Sequence, residues 1–101
     1  MSEYEVQVGR VYDRPYLLRV VTEPSLNEVN EFAVVLFYRK PTTDRTVQIA
    51  RIDTSHGYTH VDKLYAERQE SEPLDVDVWQ AQAHLESNWK RYARLYRQNH
   101  E

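Results

Sequence analysis

Phe32-Ala33-Val34-Val35-Leu36-Phe37-Tyr38 is apolar at every position. Whichever face of this extended run meets a core, the other face is therefore apolar as well. The run is short for a buried helix and rich in β-branched and aromatic side chains, which suit a pleated surface. It reads as a central strand covered on both sides. One of those covers can be a second subunit.

On either side the pattern changes to alternation. Tyr4, Val6 and Val8 alternate with Glu5 and Gln7, the period of a half-buried strand ending at Gly9. Tyr12-Asp13-Arg14-Pro15 is a turn, and residues 16–22, with Leu17, Leu18, Val20 and Val21, form a second strand ended by Pro24. After the central strand, Pro41-Thr42-Thr43-Asp44 turns the chain into residues 45–53, where Val47 and Ile49 alternate with Thr46 and Gln48. Thr54-Ser55-His56-Gly57 then turns it into a fifth strand over residues 58–65, and the polar residues 67–73 read as a linker.

Asp77 followed three residues later by Gln80 has the spacing of a capping box, so a helix should start near Val78. Val78, Ala81, Leu85, Trp89, Tyr92 and Tyr96 recur at intervals of three and four and form one stripe for the sheet to cover. Glu86 and Lys90 stand four apart on the other side, the spacing of a helical ion pair. The expected architecture is a single α+β domain over residues 1–101. It is an antiparallel β-meander of about five strands packed against one long C-terminal amphipathic helix.

Composition narrows the chemistry. The 101 residues include no Cys, which removes disulfides, thiolate metal sites and cysteine nucleophiles. With only two glycines, Gly9 and Gly57, there is no phosphate-binding glycine loop. No apolar run approaches the roughly 18 residues that span a bilayer, and Met1-Ser2-Glu3-Tyr4 has no basic region leading into an apolar stretch. The expected location is cytoplasmic, with no membrane contact. A net charge of −3 argues against a general coat for nucleic acid. Lys90, Arg91, Arg94 and Arg97 nevertheless interleave with Tyr92 and Tyr96, a pattern that can meet phosphates and stack on bases, or simply complement the helix dipole.

The densest chemistry lies in Arg51-Ile52-Asp53-Thr54-Ser55-His56-Gly57-Tyr58-Thr59-His60-Val61-Asp62. If residues 54–57 are the hairpin loop, Arg51 stands opposite His60, with Asp53 and Asp62 as near neighbours on the same face. Arg51, Asp53, His56, His60 and Asp62 are thus the candidate catalytic residues: a histidine to move a proton and an arginine to hold a developing negative charge. A solvated face of cross-strand ion pairs explains the same residues, and His56, His60 and Asp62 could alternatively ligate a metal. No cofactor is implied. His84 falls outside the apolar stripe and His100 in the tail, so both should be solvated.

The fourteen residues from Ile49 to Asp62 resemble the centre of small uncharacterised haloarchaeal proteins and, more distantly, TumE-type toxins of toxin–antitoxin pairs. The resemblance implies an RNA- or nucleotide-directed activity through Arg51, Asp53, His56 and His60, with a small antitoxin as partner. Asp62 stands where the toxin pattern would carry another histidine. From the residues themselves, the doubly apolar strand and the load of eight Tyr and two Trp point instead to a protein-interaction domain, pairing with itself as a homodimer or with a small protein.

Overall fold

A computed structural model describes residues 1–55 and 57–101. Six strands pair with their sequence neighbours in one antiparallel sheet: β1 (Ser2–Val11), β2 (Arg14–Pro24), β3 (Val29–Arg39), β4 (Thr46–Asp53), β5 (His60–Lys63) and β6 (Glu70–Pro73). A single helix, α1 (Val78–His100), packs on one face. The meander-plus-helix architecture is the one the periodicity implies. No helix among the described residues is long and apolar enough to cross a membrane.

The helix begins where its cap dictates. Gln80 N donates to Asp77 Oδ1 at 2.8 Å and Asp77 N donates to Gln80 Oε1 at 2.9 Å, which satisfies two amides that have no partner inside the helix. Val78, Ala81, Leu85, Trp89 and Tyr92 are buried as the stripe requires, joined by Ala93. Tyr96 is half-buried, its ring 6.2 Å edge-on from that of Tyr38. The stripe meets Tyr16, Leu18 and Val20 of β2, Val34 and Leu36 of β3, and Ala50 and Ile52 of β4. Glu86 accepts from Gln82 Nε2 at 2.9 Å, and no Glu86–Lys90 ion pair forms among the described residues.

Gly9 fixes how closely the helix approaches. A Cβ there would stand 2.3 Å from Trp89 Cζ2, well inside contact distance, so only hydrogen fits under the indole. The register of β1 on β2 shifts between Gln7 and Gly9, a bulge that sets Gly9 opposite Tyr16, whose ring lies 5.4 Å from that of Trp89. The chain then reverses at Tyr12 and Asp13, both at positive φ (56° and 59°), as in a two-residue hairpin of the mirror-image type.

Three local readings change. β6 occupies part of the expected linker. Its residues Glu70, Ser71, Glu72 and Pro73 are all exposed, so no alternation marks them. Charges and a proline suit a short edge strand that resists further pairing. In β4 the register on β3 shifts between Leu36 and Phe37, which allows the adjacent Ile49 and Ala50 both to be fully buried. Beyond this bulge Ala50 and Ile52 face the helix, and Arg51 and Asp53 the other side. Finally, β5 starts at His60, so the β4–β5 loop spans residues 54–59, two longer than expected.

The face away from the helix also carries apolar side chains, yet Leu17, Val35 and Phe37 are buried there. Arg19 and Arg39 cover them. Their guanidinium carbons lie 5.4 and 5.3 Å from the centre of the Phe37 ring, and both donate to the carboxylate of Glu5, Arg19 at 3.1 Å and Arg39 at 2.8 Å. The guanidinium groups themselves lie over the ring, and each arginine side chain is 41% exposed.

Gly9→Ala should destabilise the fold by about 1–3 kcal/mol through overpacking against Trp89, measured by urea denaturation. Combining it with Trp89→Leu should recover part of the loss relative to the sum of the single changes; strict additivity of the two would show that Gly9 does not set the helix distance.

Candidate functional site

β4 and β5 bring the sequence-predicted residues together with exchanged partners. The longer loop slides the pairing by two residues, so Asp53 stands opposite His60 and Arg51 opposite Asp62. A slide of two leaves every side chain on its original face, because side chains alternate with period two. Convergence of Arg51, Asp53, His60 and Asp62 therefore survives, and the expected Arg51–His60 pairing does not. His56 lies outside the described residues.

Asp53 is the hub. Its side chain is 4% exposed. Oδ1 accepts from Ser55 N at 3.2 Å and Ser55 Oγ at 3.0 Å, and faces His60 Nε2 at 3.0 Å; Oδ2 accepts from Arg51 Nε. Burial pushes the Asp53 carboxyl up, but the bonds from Ser55 and Arg51 outweigh it and hold the group below its ordinary value. His60 is equally enclosed, its side chain 2% exposed. Its Nδ1 lies 3.3 Å from the Tyr58 carbonyl oxygen, and the half-exposed Tyr58 ring sits 5.4 Å from the imidazole. Asp62 is 3.6 Å from His60 Nε2 through Oδ1, which also accepts from Ser71 Oγ of β6 at 2.7 Å. The strand that the sequence left as a linker thus supplies one bond to the cluster.

Arg51 differs from its neighbours in being 38% exposed. It lines an open groove of about 170 Å³ whose walls include Val21, Glu23, Glu31, Ala33 and Asp53. Glu23 and Glu31 are directly opposed across β2 and β3, both exposed and neither in an ion pair among the described residues. Like charges facing each other in this way repel. Sequence reading missed this pair, because it depends on the β2–β3 register rather than on any local motif.

Of the remaining histidines, His84 is less solvated than expected and His100 is exposed as expected. His84 is half-buried, with Nε2 2.9 Å from the Tyr92 hydroxyl, and Tyr92 stacks on Tyr65 at 4.3 Å. Burial, with the Tyr65 phenol beside it, pushes the Tyr92 hydroxyl up to about 12. His100 is exposed but donates from Nε2 to the Ala66 carbonyl at 2.7 Å. Lys90, Arg91, Arg94 and Arg97 are all exposed, and none forms an ion pair among the described residues.

These features define a class: a one-helix, six-stranded α+β domain built on a meander, with an Arg–Asp–His–Asp network beside an acid-rimmed groove. The chain belongs to the family described as Domain of unknown function (DUF7718), which matches it over residues 1–101. No curated protein and no solved structure matches it at a significant level.

Asp53→Asn removes the carboxylate that Arg51, Ser55 and His60 face and should cost about 1–3 kcal/mol, the range for leaving buried hydrogen-bond partners unsatisfied. The pH dependence follows from the direction of the shift. A carboxyl held lower in the folded state stabilises above its unfolded value, near 3.8, and that stability is lost as pH falls through the folded value. Denaturation midpoints measured from neutral down to strongly acidic pH should therefore fall more steeply in the parent than in Asp53→Asn.

Proposed function

We propose that this chain is a small protein-interaction domain that associates with further copies of itself, head to tail, through the acid-rimmed groove. The observation that carries this reading is the opposed Glu23–Glu31 pair. Two carboxylates without ion-pair partners among the described residues, above an apolar floor of Val21 and Ala33, attract an arriving cation. The chain carries a matching surface in Lys90, Arg91, Arg94 and Arg97 on α1. Complementary potentials of this kind steer encounter and fix register.

The groove opens on the sheet face opposite to α1, so one copy's groove receives another copy's helix without the contact being returned. Such a contact is heterologous and builds rings or chains rather than a two-fold dimer. The roof over Phe37 supports the same choice, since the apolar centre of the open face is already covered by Arg19 and Arg39. A cytoplasmic setting suits such a domain. The likeness of residues 49–62 to TumE-type toxins supports the alternative, an RNA-directed enzyme, less well. His60 is enclosed, Arg51 is engaged by Asp53, and carboxylates at the groove repel a polyanion.

Sedimentation velocity tests the reading. In low salt the average mass should rise with concentration above the 12.1 kDa of one chain, and in high salt it should return there as the charges are screened. Glu23→Lys with Glu31→Lys should abolish association, as should Lys90→Glu with Arg94→Glu. Mixing the two double variants should restore association, with the two alternating along the assembly, because the reversed groove fits the reversed helix and the native groove still fits the native helix. A 12.1 kDa species at every concentration and salt, or no complex in the mixture, overturns the proposal.

A further inference from the structure

The orientation of His60 raises a question of charge that the interaction surface does not answer. Nδ1 faces an acceptor, the Tyr58 carbonyl oxygen at 3.3 Å, and a hydrogen bond there requires the proton on Nδ1. Nε2 then faces two carboxylate oxygens, Asp53 Oδ1 at 3.0 Å and Asp62 Oδ1 at 3.6 Å. A neutral imidazole in this tautomer aims its lone pair at two anionic oxygens. Either a proton on Nε2 or a metal ion reconciles them.

We infer that Asp53, His60 and Asp62 form a binding site for a divalent first-row transition-metal ion. The three side chains each offer one donor atom, all within 4.8 Å of one another. For bonds of about 2.1 Å to nitrogen and oxygen, neighbouring ligands stand about 3.0 Å apart in an octahedron and about 3.4 Å apart in a tetrahedron. The separations from His60 Nε2, 3.0 and 3.6 Å, bracket the tetrahedral edge and lie within about 0.4 Å of it. A mixed imidazole and carboxylate set favours ions such as Zn²⁺, Mn²⁺ or Co²⁺ over Mg²⁺ and Ca²⁺, which take oxygen alone.

The surrounding bonds are those a metal centre uses to aim its ligands. A ligating histidine commonly donates its other N–H to a backbone carbonyl, and ligating carboxylates are themselves hydrogen-bonded. Here the Tyr58 carbonyl orients His60, Ser55 and Arg51 hold Asp53, and Ser71 holds Asp62. Asp62, 23% exposed, gives the ion a way in from solvent while the other two ligands stay enclosed. Three protein ligands leave coordination positions open for water or another small donor.

The test uses untagged protein stripped with a chelator and titrated with Co²⁺, read by visible absorption, and with Zn²⁺, read by calorimetry, in mildly alkaline buffer. One equivalent should bind, and the thermal midpoint should rise with added Zn²⁺ as for any ligand of the folded state. Asp62→Asn, at the exposed ligand, should keep the fold and weaken binding at least tenfold. His84→Ala with His100→Ala should leave binding unchanged. No saturable binding would mean that a proton alone occupies the site, and that overturns the inference. So would binding that persists in Asp62→Asn, or that disappears with His84 and His100.

Discussion

One helix can cover only one face of a six-stranded sheet, and the other face must then keep its own apolar side chains dry. Much of this molecule follows from that constraint. On the covered side, close approach is secured by removing a side chain altogether, at Gly9, so that Trp89 settles onto the sheet. On the uncovered side, the apolar strip of Leu17, Val35 and Phe37 is closed by Arg19 and Arg39, which Glu5 holds in place. Burial is obtained there without a second layer, at the cost of committing three charged residues to one geometry.

The same constraint shaped what could be read from the amino-acid sequence. Strands with one wet face and a helix with one apolar stripe announce themselves through period, and β1, β2, β3 and α1 were legible for that reason. β3 was legible as a strand but ambiguous in its surroundings, because an apolar run looks the same under a partner subunit as under two arginine side chains. β6 was illegible, since a strand wet on both faces has no period at all. The alternation across residues 45–53 implied a regular strand, and the bulge at Ile49 is visible only once Leu36 and Phe37 are seen to pair with Ala50 and Gln48.

The candidate site was legible in membership and not in pairing. Arg51, Asp53, His60 and Asp62 share a face at any even register, so loop length could be misjudged by two residues without separating them. Which carboxylate meets which base depends on that length, and nothing in Thr54-Ser55-His56-Gly57 reveals that the turn continues to Thr59. Depth was hidden too. An Asp and a His on the face away from the helix would ordinarily be wet, and here the loop, the Tyr58 ring and β6 enclose them.

The order of the strands has a kinetic side. Every strand in the sheet pairs with the next in sequence, so each hairpin closes over a short loop and can form early without waiting for distant chain. The contacts of long span belong to the helix and its C-cap: Trp89 over Gly9, Gln82 with Tyr4, and the two-bonded pairing of Arg14 with Glu101 across 87 residues. Search entropy is thereby concentrated in one docking event, the arrival of α1 on a preassembled meander. A chain released gradually from its N-terminal end has its sheet in hand before the segment that must cover it exists, and until then the helix-facing surface of that sheet is the most adhesive one it has.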